Sequence, residues 1–191
     1  VGSEMCIRDR PFGAHNPGQR ELPFCIHTRY STQQAILEDI VASLHAQGMR
    51  KLIIISGHGG NNFKGMIRDL AFVYPDFLII ATDWFSIVSP KGYFEAEIDD
   101  HAGESETSVM MHYHPELVNL DEAGDGESKP FAIPSLNEKV GWAPRHWDKA
   151  TIDSGVGNPR KASAEKGAHY VKPVIEKLAQ LFTEVGQGEL Y

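Results

Sequence analysis

Two histidine-centred clusters hold the side chains of this chain most capable of chemistry. The first, Ser56-Gly57-His58-Gly59-Gly60-Asn61-Asn62, follows directly on the apolar run Leu52-Ile53-Ile54-Ile55. The second, Asp99-Asp100-His101-Ala102-Gly103-Glu104-Ser105-Glu106-Thr107-Ser108, leads into a helical pattern. A neutral imidazole at His58 suits zinc, manganese or iron. Gly57, Gly59 and Gly60 let the backbone turn sharply and a substrate or ion come close. Two other readings of this cluster stay open: a glycine-rich phosphate cradle, although the Gly-Lys-Ser/Thr that completes one is missing, and a turn carrying a surface histidine. The second cluster sets Asp99, Asp100, His101, Glu104 and Glu106 close together. A metal hydrolase needs carboxylates and imidazoles to hold the ion, and a titratable group to shuttle protons. Glu104 and Glu106 suit equally the role of helix-start acids favoured by the helix dipole.

An α/β frame must position these clusters. Ser31 opens a helix, with Gln34 three residues on as its capping-box partner. Ile36, Leu37, Ile40, Val41 and Leu44 recur at helical spacing, and Gly48 stands where a C-terminal cap glycine belongs. Lys51–Ser56 reads as a buried parallel strand, residues 62–73 as a second helix stopped by Pro75, and residues 77–82 as another strand. That order is a βαβ unit with a preceding helix, and it implies a parallel sheet covered on both faces. His58 then falls at the carboxyl end of a strand, where open parallel sheets bind ligands. Glu104–Tyr113 is expected to be helical, ended by Pro115. Residues 121–162 read as mostly irregular, with Trp142 and Trp147 flanking Pro144-Arg145-His146, and a last amphipathic helix runs over residues 164–185. Aromatics with an arginine in such a loop suit a wall over a small substrate, or else loop anchors and subunit contacts.

Composition narrows the function classes. The 191 residues fit one domain, with 41% hydrophobic and 23% charged residues. A net charge of −8 argues against a nucleic-acid partner, since no basic stripe meets phosphates. No apolar run is long enough to span a bilayer, and no charged-then-apolar start marks a signal peptide. Cys6 and Cys25 make neither a disulfide framework nor a CxxC knuckle, which fits a reducing cytoplasm. Residues 1–10 (VGSEMCIRDR) are read as a non-native leader ahead of a single domain over 11–191.

The GHGGN and HAGExETS motifs, with Asn16-Pro17-Gly18-Gln19, the helix from Ser31 and Glu165-Lys166-Gly167, resemble the creatininase (creatinine amidohydrolase) family. The resemblance runs from Pro11 to the C-terminal helix. It implies a three-layer α/β/α fold with a mainly parallel sheet. It also implies one or two divalent ions (zinc, manganese or iron), a homo-oligomer, and hydrolysis of small cyclic or linear amides or formamides. By the same resemblance His58 is a metal ligand and His101 transfers protons beside the metal. Glu106 matches a shared glutamate and stands with His101 as a catalytic candidate, or else in a structural role. Creatininase has a glutamate two residues after its metal histidine, where this chain has Gly60; Glu104 is taken to replace it from the other side of the site. Gly59, Gly60, Asn61, Trp142 and Trp147 are the candidate substrate contacts. Ser56 replaces the asparagine usual in the family.

The family draws further ligands, a Glu-x-His pair and an aspartate, from a first strand and its following loop. These have no counterpart in residues 1–10, so the first strand is expected to be missing and the chain to be an impaired fragment. Rival readings are a deformylase, a keto-cyclitol hydrolase on the same fold, and a non-catalytic scaffold. His112 and His114, two apart on a helix, make a poor chelate. His15, His27, His45 and His169 read as surface residues, and the acidic stretch 121–127 as a solvated loop.

Overall fold

The computed structural model describes residues 17–22 and 25–189. The expected leader (residues 1–10) and His15 lie outside them, so the expectation about a first strand ahead of Pro17 does too.

After a 3-10 turn at Pro17–Gln19 come helix α1 (Tyr30–Ala46), strand β1 (Lys51–Ser56), helix α2 (Phe63–Val73) and strand β2 (Leu78–Asp83). β1 and β2 run parallel, in register from Lys51 opposite Leu78 to Ser56 opposite Asp83. Burial explains the pairing. Leu37 and Val41 of α1, Met66 and Leu70 of α2, and Phe77 and Ile79 form one core, and Leu52 and Ile54 of β1 pack against it. The α1 stop is a Schellman turn: Gly48, at φ +86°, donates to His45 O, and Met49 N donates to Leu44 O.

The α1 start differs from expectation. The helix begins at Tyr30 with Arg29 as N-cap, so Ser31 sits inside the first turn and the Ser31–Gln34 capping box does not form. Gln34 Nε2 instead donates to Asp69 Oδ2 on α2, a tertiary contact that the local pattern could not reveal.

Past β2 follow β3 (Asp99–His101), α3 (Glu104–Tyr113), the one-turn helices α4 (Pro134–Asn137) and α5 (Trp147–Ala150), β4 (Val156–Gly157) and α6 (Ala164–Gln187). Residues 121–162 are mostly irregular, as expected, but they contain β4, which pairs antiparallel with β3. Helix α6 packs along α3, and Gly167 lies so close that a Cβ there would collide with the Ser108 carbonyl. Tyr170 OH donates to Val88 O at 2.9 Å, and Lys51 Nζ donates to Val185 O and Gly188 O, each at 2.7 Å. These bonds tie α6 both to the segment leaving β2 and to the start of β1. His45, expected at the surface, instead joins a half-buried cluster: it pairs with Asp76 at 2.9 Å and meets the rings of Tyr74 and Phe77.

Candidate active site

At the carboxyl end of β1 the chain winds tightly around His58. The imidazole is 9% exposed, and its Nδ1 accepts the Gly60 N–H at 2.8 Å. Asn61 N donates to His58 O, and the buried Ser56 hydroxyl donates to the same carbonyl at 3.2 Å. Ser56 Oγ also lies 3.5 Å from Asn61 Nδ2 as acceptor, so the serine anchors both ends of this turn. With Nδ1 accepting, a neutral His58 carries its proton on Nε2.

Strand β3 brings His101 to the same place. His101 is 8% exposed, and its Nε2 is buried with no hydrogen-bond partner among the described residues. Burial, then the charge of His58, push its pKa down to about 4, against a smaller opposing pull from Asp100. The imidazole is therefore neutral at pH 7. The sign of the linkage follows: the unfolded chain binds more protons than the folded one between about pH 4 and 6.5. This stability is complete above pH 6.5 and declines as pH falls towards 4. Between pH 7 and pH 5 the loss should be about 2 kcal/mol. Urea unfolding of the protein and of His101→Asn across that interval checks it; equal slopes for the two would count against the shift.

The carboxylates of the second cluster are committed within the fold. Glu104 is fully buried; Oε2 accepts the N–H groups of Glu95 and Ala96, each at 2.8 Å, and Oε1 pairs with Lys166 Nζ. Burial would raise its pKa, but Lys166 and the two amides outweigh it and hold the carboxyl below its ordinary value. Glu106 Oε2 accepts from Ala102 N at 2.7 Å and braces that residue at φ +50°, a left-handed conformation rare for alanine. Asp99, to which the sequence assigned no structural task, caps α3 by accepting from Ser105 N. Trp147 meets the His101 ring edge to face at 5.0 Å. Trp142 is 85% exposed and is not among the groups brought together there. Gly59, Gly60 and Asn61 line the His58 turn.

Arg145, the cation between the two tryptophans in the loop sequence, has a definite partner on β3. It spans the site wall, with Nη1 donating to Asp100 Oδ2 at 2.8 Å. Nothing in the spacing of Asp100 and Arg145 signals this pairing.

The orphaned Nε2 of His101 beside His58 marks a place for a polar ligand. A divalent ion asks for about four ligands. Among the described residues no group of three or more His, Cys, Asp or Glu is placed to hold one. His58 Nδ1 and both oxygens of Glu104 are already engaged. The described residues by themselves do not fit a complete metal centre.

A parallel βαβ unit with His58 at its carboxyl rim and His101 close enough to feel its charge defines an α/β protein with a candidate site where such sheets bind ligands. The family follows directly: the model of the creatininase family, creatinine amidohydrolase, matches residues 8–182, and the chain belongs to that family. The crystal structure of a Bacteroides fragilis protein proposed to be a creatinine amidohydrolase is 84% identical, with a TM-score of 0.91, and covers 94% of this chain and 71% of its own. The likeness places the chain in the α/β/α fold expected from the motifs. The creatinine amidohydrolase of Pseudomonas putida is 26% identical over 188 residues, 90% of this chain and 67% of that protein. A mycofactocin precursor peptide peptidase of Mycobacterium ulcerans is 31% identical over 131 residues, 66% of this chain. The match takes in 45% of that peptidase, so the chain spans about half the length of this curated relative.

Proposed function

We propose that this protein is a hydrolase of a non-peptide C–N bond in a small cyclic or linear amide, acting through water at the His58–His101 rim. The observation that carries the reading is His101: a buried imidazole, neutral at pH 7, whose Nε2 has no hydrogen-bond partner among the described residues and lies beside a second histidine. A neutral imidazole is a proton acceptor. His101 takes a proton from the attacking water as the new C–O bond forms, then delivers it to the nitrogen as the C–N bond breaks. The His58 turn, with Gly59, Gly60 and Asn61, supplies close backbone approach for the substrate. Trp147 closes the side of the site.

The zinc, manganese or iron that belongs with this family reading would, when bound, acidify a water and polarise the carbonyl. His58 and Glu104 are the residues proposed for it. Glu104 would have to exchange Lys166 for the ion. One domain over residues 11–191, a cytoplasmic location and a homo-oligomer complete the proposal. Among the described residues no helix is long and apolar enough to cross a membrane.

One observation favours a second reading. The saturation of Glu104 by its own chain suits a scaffold without a metal. Elemental analysis together with turnover separates the two. Stoichiometric zinc, manganese or iron and hydrolysis within a panel of creatinine, other cyclic amides and formamides, both abolished in a folded His58→Ala variant, support the hydrolase. A metal-free protein with no turnover on the panel supports the scaffold, and full activity of His58→Ala overturns the proposed site.

A further inference from the structure

The chain that crosses the histidine rim is fastened to it at several points, and Arg145 is common to them. Its Nη1 donates to Asp100 Oδ2 at 2.8 Å, and Asp100 immediately precedes His101 on β3. Its guanidinium carbon stands 4.7 Å from the centroid of the Trp147 ring. That ring in turn meets the His101 imidazole at 5.0 Å with an interplanar angle of 67°. The main chain of Arg145 rests on the 3-10 turn at Pro17–Gln19. Gly18 lies so close that a Cβ would run into the Arg145 carbonyl and stand 3.2 Å from Trp147 Cδ1.

We propose that Arg145 and Trp147 are positioning residues for His101: the Arg145–Asp100 pair tethers the crossing loop to β3, and the tethered indole sets the plane of the imidazole. This rests on the reading of His101 as the proton-transfer group. Each contact is modest alone, since Arg145 and Asp100 are 32% and 54% exposed and water weakens such a pair. Their arrangement gives the effect. The guanidinium spans the residue next to the histidine and the ring against the histidine, so the loop cannot slide without losing both contacts. An edge-to-face indole restricts ring rotation of the imidazole without consuming either nitrogen. Nε2 is thereby left without a hydrogen-bond partner among the described residues.

A merely structural loop and a positioning loop differ in what they do to the imidazole. The experiment compares the protein with Arg145→Met, Arg145→Lys, Trp147→Leu and Gly18→Ala. It uses NMR spectra of protein carrying 13C-labelled histidine, with the His101 ring signal assigned by its disappearance in His101→Asn. In the unsubstituted protein the indole ring current displaces this signal from its random-coil position. The displacement should collapse in Trp147→Leu, shrink in Arg145→Met and Gly18→Ala, and be partly restored in Arg145→Lys, which keeps the charge but not the planar stack. On whichever panel amide is turned over, Arg145→Met should lower kcat about tenfold and leave KM near its original value, as misplacement of a reacting group does. An unmoved His101 signal in folded Arg145→Met and Gly18→Ala overturns the proposal. A moved signal with unchanged kcat upholds the tether and places the failure on the proton-transfer role of His101.

Discussion

Lys166→Met should destabilise the protein, the usual consequence of leaving a buried carboxylate without its cation, with the loss tempered because the lysine side chain keeps 26% of its surface in water. Glu104 has no exposed surface, and among the described residues Lys166 is the one cation paired with its carboxylate, through Oε1. Lys166 also pairs with Glu95 Oε1 at 2.9 Å and donates to Lys161 O, and its own pKa is raised, chiefly by Glu104 and then by Glu95. Methionine keeps the aliphatic stem against α3 but takes away the charge. The two backbone amides at Oε2 cannot neutralise the carboxylate, so Glu104 either remains as an unpaired buried charge or takes up a proton at a cost. The second substitution distinguishes charge from packing. Lys166→Met combined with Glu104→Gln should recover most of the loss, because the amide brings no charge and can still accept at its oxygen. Urea unfolding of both single variants and the double variant gives the coupling energy. A coupling near zero would mean that Glu104 finds its compensation elsewhere, as a bound cation would provide. The same cycle with added zinc or manganese therefore tests the proposed metal role of Glu104 through stability, independently of turnover.

Much of the frame was legible in the residues because its signals are local. The apolar spacing of α1, the continuous Leu52–Ile55 run of β1 and Gly48 in the left-handed region each follow from nearby chemistry, and the structure has them in place. The two histidines were legible for the same reason: one follows an apolar strand, although β1 is only part-buried with Ile55 49% exposed, and the other precedes a helix start. What escaped depends on partners far along the chain. β3 and β4 have only three and two residues, too short to show a period, and they exist because each pairs with the other across a separation of more than fifty residues. The Arg145–Asp100 bond spans 45 residues and the Lys166–Glu104 pair 62. The four acids near His101 looked interchangeable by composition, but the fold separates them. Asp99 caps α3, Asp100 holds Arg145, Glu104 meets Lys166, and Glu106 braces Ala102. That division of work is written in geometry alone.

His101→Asn is the substitution expected to cost the reaction most, with kcat lowered by about 10²–10⁴-fold and KM little changed, the range over which a general acid–base group acts. Asparagine retains some polarity in a space bounded by Trp147 and β4, so the fold should persist. It cannot accept a proton from water and return it to nitrogen. The pH profile makes the assignment sharper. An ordinary histidine acting as base would give an acid limb near pH 6.5, whereas His101, held neutral down to about pH 4 by burial and by His58, puts its limb well below that. The rate for the unsubstituted protein should therefore show no His101 titration between pH 5.5 and 8. Arg145→Met, by opening the wall over the imidazole, should relieve part of the desolvation and bring the limb up towards 6.5. Initial rates over that range on a panel amide read both effects. A limb near 6.5 already present before any substitution would show that the acting histidine is a solvated one, and would remove His101 from the role. His101→Asn activity within a few-fold of the unsubstituted protein would do the same by a separate route. The two measurements thus converge on a single atom, the buried Nε2 that has no hydrogen-bond partner among the described residues.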